Sequence, residues 1–559
     1  MPVIVIAVSL KNVILIKTIA VKRLFLLLVL CTTALYAQQD AWIYFSDKPD
    51  AAYYLSHPLE MLSQKALDRR AAHSVTLDDK DVPVPPDYLN SVAASSGITV
   101  MAKSRWLNAV HVRGEFADIN ALRDFSFVSS IEFADKTLNN RRGRGVSTTA
   151  QRTVNKNLSV QADFNYGAAA TQIEMLNGHR LHQSGFTGAG VTIAVLDAGF
   201  PGSDTSVLTE RARQNGQLLG GYNFVEGSDN VYTGGNHGTM VLSTMAGYTD
   251  GSFVGTAPDA NYYLFVTESM TYENPVEESF WVAAAEQADS LGVDVINTSL
   301  GYFRFDNPSY DHTYEEINGQ TAFITRGANV AFTRGMFLVT SAGNSAASSD
   351  PHISVPADAF NTLTLGAVDS SEEIAYFSSL GPSYDGRIKP DVVAMGLGVS
   401  VGSTDGSITS ASGTSFSGPI TAGLVACLWQ ALPQLSNADV LQKVKQSADR
   451  YNNPDNTFGY GVPDFWAAYQ DISAVKDIAS NNKNLLLYPN PVSSVLTVVL
   501  PKESGPAEIV LFNNLGQVVL RETVSQSNPT VNLSGFSSGV YSYRLLSGNA
   551  AYTGKVIKH

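Results

Sequence analysis

The sequence predicts an α/β fold built on a parallel sheet across residues 163–475, with a small α+β domain before it and a small all-β sandwich after it. Three observations lead there. Apolar runs recur at 191–196, 262–266, 293–297, 337–340 and 362–368, short enough and continuous enough for strands buried on both faces. Helical stretches such as 278–290 separate most of them, and that alternation implies a parallel sheet covered by helices on both sides. Outside these limits the alternation stops, and short strands and turns take over.

The elements can be taken in chain order. Lys17, Lys22 and Arg23 precede an apolar run at 24–30, and Ala34-Leu35-Tyr36-Ala37 supplies small residues before Gln38. This is the pattern of a secretory signal peptide over 1–37, with a run too short for a membrane span. Residues 41–45 read as a strand, 62–72 and 88–94 as helices, 98–102 and 108–112 as extended, 119–124 as helical and 130–133 as extended, which together make a small α+β domain over 41–136. A basic, polar linker over 137–162, containing Arg141, Arg142 and Arg144, is an exposed zone suited to cleavage. A second polar linker at 476–484 precedes strand-like stretches at 496–500, 508–513, 518–523 and 539–545, with a turn at Asn514-Leu515-Gly516. These make the sandwich of 485–559.

Composition narrows the classes. A chain of 559 residues exceeds a single domain, and a formal net charge of −14 argues against nucleic acid or an anionic membrane as principal partner. Of two cysteines, Cys31 lies in the leader and Cys427 in the apolar run 424–429, where it reads as a small buried hydrophobe, so no internal disulfide is expected.

Four motifs carry chemistry. Ala194-Val195-Leu196-Asp197-Ala198-Gly199 ends a buried strand on a carboxylate. Asn236-His237-Gly238-Thr239 opens a helix on a histidine. Thr340-Ser341-Ala342-Gly343-Asn344 leaves a strand with a side-chain amide able to face a carbonyl oxygen. Ser412-Gly413-Thr414-Ser415-Phe416-Ser417-Gly418-Pro419 sets a serine at a glycine-rich helix start, where the helix N-terminus favours developing negative charge. Each alone has a dull explanation: a strand-ending Asp, an idle His, a turn Asn, an N-cap Ser. Their occurrence together, in one α/β region and next to strand ends where such sheets bind ligands, does not.

Taken together, residues 163–470 resemble the subtilisin-like serine peptidases, the subtilases, whose triad runs Asp, His, Ser along the chain. Gly255-Thr256-Ala257-Pro258, Val295-Ile296-Asn297-Thr298-Ser299-Leu300-Gly301, Leu365-Gly366-Ala367-Val368, Phe377-Ser378-Ser379-Leu380-Gly381-Pro382 and Gly459-Tyr460-Gly461-Val462 carry the same resemblance. It implies a secreted serine endopeptidase acting through an acyl-enzyme on polypeptide substrates. It implies that Asp197, His237 and Ser415 form the triad and that Asn344 serves as oxyanion donor. It further implies that Ser299, Leu300, Gly301, Ala342, Gly343 and Ser354 bound the first specificity pocket, with Ser354 at its base. No metal takes part in this chemistry. The family allows a structural calcium ion, but the loop 247–253 lacks an oxygen-rich ligand set and no site is assigned.

Between Tyr302 and Arg326 the chain carries an insertion relative to short subtilases, with Tyr302, Phe303, Phe305, Tyr310 and Tyr314. These aromatics either rim the cleft and favour apolar substrates or pack the insertion down. By placement and size, 41–136 resembles a subtilase propeptide; the alternative is a retained binding module. Leu487-Tyr488-Pro489-Asn490-Pro491 and the Gly539-Val540-Tyr541 region resemble the C-terminal sorting domain of type IX secretion in Gram-negative bacteria, implying export through the periplasm and the outer-membrane machinery as a partner. The expected product is a monomer, secreted or held at the cell surface. A second reading keeps the scaffold and drops the chemistry: a catalytically silent surface-binding protein.

Overall fold

The computed structural model describes residues 38–139 and 164–470, and from 486 to 558 all but 489, 491, 501–505, 514–516 and 548–549. The leader, most of the first linker, the second linker and the turn at 514–516 lie outside the described residues. The chain divides into two compact units, Met1–Phe465 and Trp466–His559.

The first unit opens with an antiparallel sheet of β1 (Gln39–Phe45), β2 (Thr99–Ser104), β3 (Ala109–Gly114) and β4 (Val128–Phe133), in the order β2-β3-β1-β4. Ile43 of β1 faces Val110 on one side and Ile131 on the other. The inward residues of these strands form one core with Val92 and Ile119 of two short helices, Pro86–Ala93 and Phe116–Ala121. Between β1 and the first of these helices the chain makes an excursion containing the helices Ala51–Ser56 and Gln64–Ala72, the second started by Ser63 Oγ accepting from Ala66 N. Met61, Leu62, Ala66 and Val82 give this lobe its own small core. The sequence reading found the helix but not the lobe.

The same unit continues with seven parallel strands: β5 (Thr192–Asp197), β6 (Leu218–Asn223), then, after the hairpin β7 (Tyr248–Thr249) and β8 (Phe253–Val254), β9 (Asn261–Val266), β10 (Val295–Thr298), β11 (Phe337–Ser341), β12 (Leu363–Val368) and β13 (Val392–Met395). Their order is β13-β12-β11-β10-β5-β9-β6. The five central strands coincide with the expected apolar runs. The edge strands β6 and β13 do not: β6 reads Leu-Leu-Gly-Gly-Tyr-Asn, with little apolar content. A Cβ on its Gly221 would sit 1.6 Å from the Leu264 carbonyl oxygen, so close pairing with β9 demands a residue that hides the strand from pattern reading.

Three helices frame the cleft and the contact with the N-terminal domain. We label them α1 (His237–Ala246), α2 (Val276–Leu291) and α3 (Thr414–Ala431). Helix α3 is apolar all round and buried along most of its length, as a helix in the middle of a domain must be. Its Gly423 lies so near Thr256 that a Cβ would meet the hydroxyl oxygen at 2.0 Å. Helix α2 ends on Gly292, left-handed at φ 80°, where a Cβ would also lie 2.8 Å from Ala66 N of the N-terminal lobe.

The N-terminal domain is joined to the parallel-sheet domain by buried polar contacts. Trp42 stacks on Phe323 with ring centroids 5.0 Å apart and donates to Ser279 Oγ at 2.8 Å. Glu286 of α2 accepts from Ser104 Oγ at 2.6 Å and from Arg105 N and Trp106 N at 3.0 Å. One turn later, Asp289, fully buried, pairs with Arg69, Arg70 and Arg105. Asp81 and Arg334 extend the network. Burial works against the Asp289 charge, and the three guanidiniums outweigh it and hold its carboxyl below the usual range.

The second unit contains β16 (Leu486–Tyr488), β17 (Val495–Val499), β18 (Ala507–Phe512), β19 (Val518–Val524), β20 (Thr530–Asn532), β21 (Gly539–Ser547) and β22 (Ala550–Lys558); β14 (Val399–Gly402) and β15 (Ile408–Ala411) are a hairpin of the first unit. Its two antiparallel sheets, β16-β17-β20 and β19-β18-β21-β22, contribute Leu496, Val498, Val531, Ile509, Leu511, Leu545 and Val556 to a common core, the sandwich expected of this region.

Candidate active site

Parallel strands deliver their loops to one edge. Asp197 is the last residue of β5, Ser299-Leu300-Gly301 leaves β10, and Ala342-Gly343-Asn344 leaves β11. His237 begins α1 and Ser415 is the second residue of α3. Accordingly, His237, Ser299, Leu300, Gly301, Gly343, Asn344, Ser354 and Ser415 all line one open cleft of about 440 Å³. Ala342, expected on the pocket wall, is instead fully buried behind it, bonding Leu365 O through its N–H and accepting from Ser354 N.

Asp197 is itself buried, and its Oδ1 accepts from His237 Nδ1 and from Ala198 N, both at 2.8 Å. Burial disfavours a charged imidazole, but the carboxylate charge and its hydrogen bond prevail, so the His237 pKa is raised above 6.5. Gly238 makes this approach feasible: a Cβ there would fall 2.4 Å from Gly199 O and 2.9 Å from Asp197 Cβ.

Ser415 and Ser299 are bonded twice. Ser415 Oγ donates to Ser299 O at 3.2 Å, and Ser299 Oγ donates to Ser415 O at 2.9 Å. The second bond has a local cause. Pro419, four residues on, has no N–H to give the Ser415 carbonyl, which is therefore free for Ser299. In this resting arrangement the Ser415 hydroxyl is turned to the Ser299 carbonyl.

Asn344 is oriented by its neighbour. Its Oδ1 accepts from Thr414 N at 2.9 Å and from Thr414 Oγ1 at 3.0 Å, while Thr414 Oγ1 accepts from Gly343 N at 3.2 Å. A backbone N–H can only donate, so the atom facing it must be the amide oxygen, leaving Nδ2 as the outward donor. A Cβ built on Gly413 would lie 3.5 Å from that Nδ2 and 3.7 Å from Ser415 N. Two N–H donors thus border a space that glycine keeps empty.

The insertion aromatics resolve in favour of packing. Tyr302, Phe305 and Tyr310 are buried in a core shared with α2 and β10, and Phe303 reaches the cleft. Two site features were not singled out in the sequence. Thr414 was quoted only as a neighbour of Ser415, though its hydroxyl group at a helix start was a usable signal. Arg304 lines the cleft paired with Asp311, seven residues on, and with Asp350, a distant partner that no local pattern announces.

Among the described residues, Glu268, Glu273 and Glu277 form a group whose oxygens lie within 4.8 Å of one another. Burial is the first cause that raises all three, Glu273 to about 7, Glu277 to about 8 and Glu268 well above the ordinary range; the Asp306 charge adds to Glu273, the Glu273 charge to Glu277, and the Glu277 and Glu273 charges to Glu268. A cluster so biased holds protons readily.

Three segments of the chain match known family models. The model of the subtilase family matches residues 188–461, that of the peptidase S8 propeptide domain of Bacteroidota matches 40–152, and that of the secretion system C-terminal sorting domain matches 486–559. Subtilisin DY of Bacillus licheniformis is 31% identical over 293 residues, 52% of this chain and 93% of that protein. Subtilisin BL of Lederbergia lenta is 31% identical over 288 residues, 51% of this chain and 93% of that protein. Subtilisin NAT of Bacillus subtilis subsp. natto is 31% identical over 294 residues, 52% of this chain and 68% of that protein.

Proposed function

The chain belongs to the subtilase family of serine peptidases, and on that premise we propose that it cuts polypeptides with Ser415 as nucleophile, His237 as general base and acid, and Asp197 as the group that orients and charges the imidazole. The observation that carries this reading is the 2.8 Å Asp197–His237 bond at the mouth of the cleft that also holds Ser415 and Asn344.

On substrate binding, the Ser415 hydroxyl leaves the Ser299 carbonyl for His237 Nε2, since the other ring nitrogen is committed to Asp197. Oγ then bonds to the scissile carbonyl carbon as its proton passes to Nε2. The imidazolium is stabilised by Asp197, and the proton leaves with the departing amine. Water repeats the sequence to free the acyl group. Developing negative charge on the carbonyl oxygen occupies the space beside Gly413, between Asn344 Nδ2 and Ser415 N. A side-chain donor of this kind is worth about 3–4 kcal/mol in the transition state. These roles require no metal ion. Ser299, Leu300 and Gly301 form one wall of the first specificity pocket, Gly343 the other, and Ser354 its base.

The sorting domain and the Bacteroidota propeptide domain mark a secreted or cell-surface protein. In our reading a signal peptide at 1–37 starts export, the domain of 41–136 is a propeptide released by cleavage in 137–162, and 485–559 addresses the type IX machinery from the periplasm. The test is hydrolysis of a mixed peptide library by the purified mature protein and by Ser415→Ala. Cleavage should be lost by at least about 10³-fold in the variant. A folded wild-type protein that cleaves nothing would favour the silent binding reading.

A further inference from the structure

The insertion that follows Ser299-Leu300-Gly301 places one charged residue against the cleft, Arg304. Its Nη1 donates to Asp311 Oδ2 at 2.8 Å, within the insertion, and its Nη2 pairs with Asp350. Asp350 lies in the segment between Ser345 and Ser354, both of which line the cleft. The guanidinium therefore ties the insertion to the segment between Ser345 and Ser354, beside the cleft that Arg304 lines. Asp311 is fixed in turn, its Oδ1 accepting from Phe305 N at 2.8 Å. The Arg304 guanidinium also lies over the Phe303 ring, 5.2 Å from the centroid, which directs the side chain along the pocket wall.

The pocket beneath this strap is narrow at its base. A Cβ on Gly301 would meet Ser354 Oγ at 2.1 Å, and one on Gly343 would meet the same oxygen at 3.3 Å. Its floor is a neutral hydroxyl, one wall is the Phe303 ring, and its outer end is a cation held by two carboxylates. We infer that Arg304 is a specificity-determining residue that closes the outer end of the first pocket and excludes cationic substrate side chains. This assignment rests on the reading of the cleft as a serine peptidase site.

The physical argument is one of negative selection. A long basic side chain entering the pocket meets a guanidinium that already holds both nearby carboxylates, so the newcomer has neither space nor a counter-ion. Removing Arg304 reverses both conditions. The end opens, and Asp311 and Asp350, relieved of their cation, become the acceptors that a lysine or arginine side chain lacks in the wild type. Arg304 is 60% exposed, so its loss creates no cavity and leaves the core alone.

The experiment uses four fluorogenic peptides that differ only in the residue before the scissile bond: Ala, Leu, Phe or Lys. The kcat/KM ratio of the Lys to the Leu peptide is measured for wild type, Arg304→Ala, Arg304→Gln and Arg304→Lys, with labelling of Ser415 by a fluorophosphonate followed in the same preparations. The ratio should rise about tenfold or more in Arg304→Ala and Arg304→Gln, and by less than about threefold in Arg304→Lys. A ratio within about twofold of wild type in fully labelled Ala and Gln variants would overturn the Arg304 assignment while leaving the peptidase reading intact. Absence of both labelling and hydrolysis in folded wild type would sink the peptidase reading, and this inference with it.

Discussion

Ser415, His237 and Asp197 illustrate how much a single side chain depends on its neighbours' constraints. The imidazole is held above its ordinary pKa because Asp197 prevails over burial. In the proposed mechanism the neutral ring is the base, so kcat/KM should fall as pH drops through that raised value. Stability runs the other way: the charged ring's contribution is complete below 6.5 and is lost as pH rises through the raised folded value. In Asp197→Asn the burial remains and the opposing charge is gone, so an NMR titration of His237 should give a pKa lower than in the wild type. The identities of these residues were legible in the sequence because each sits in a motif with fixed local chemistry. The orientation of Asn344 was not, since it follows from Thr414, seventy residues away, offering a donor that only an oxygen can accept.

At the scale of the element, the five central strands were readable because burial on both faces forces an apolar run. Of the edge strands, β6 was not, because Gly221 serves a close backbone approach and interrupts its pattern, and β13, a buried apolar run at Val392–Met395, was not picked out. The N-terminal lobe was missed for a related reason: a helix shows itself by period, but what it docks on does not. The glycines of the catalytic helices make a sharper case. Gly238→Ala would drive a methyl group into Gly199 O and Asp197 Cβ, so α1 must shift outward and carry His237 with it. A displacement of this order costs about 10²-fold in rate. We expect kcat/KM to fall by about that factor in Gly238→Ala, with the far-UV circular dichroism of the full chain retained.

The first unit is organised around the contact between its N-terminal and parallel-sheet domains. Beyond the Asp289 network, Lys136 at the end of the N-terminal domain pairs with Glu316 of the insertion, which bonds buried His312, itself paired with Glu278. Burial opposes a charged His312, but the two carboxylates prevail and raise it to about 9. Burial likewise opposes the Glu316 charge, and His312 with Lys136 lowers it to about 2. The His312 contribution is therefore complete below 6.5 and lost as pH rises through about 9. Glu316 adds stability above 4.5 that is lost as pH falls through about 2. Between pH 6.5 and 9 the unfolding free energy of the full chain, read from denaturant titrations, should fall by on the order of 3 kcal/mol more than that of His312→Gln. Glu316, four residues on, was a local signal for His312, but Glu278, its other partner, comes from a separate segment that nothing local announces.

Everything proposed for the cleft depends on a hydroxyl that rests on a carbonyl and yet becomes a nucleophile. The direct measurement is peptide mapping by mass spectrometry after treating the native protein with a fluorophosphonate. We predict a single adduct on Ser415 that forms in wild type and slows by orders of magnitude in His237→Ala. An unmodified Ser415 in folded wild-type protein, or an adduct that forms equally fast without His237, would contradict the account.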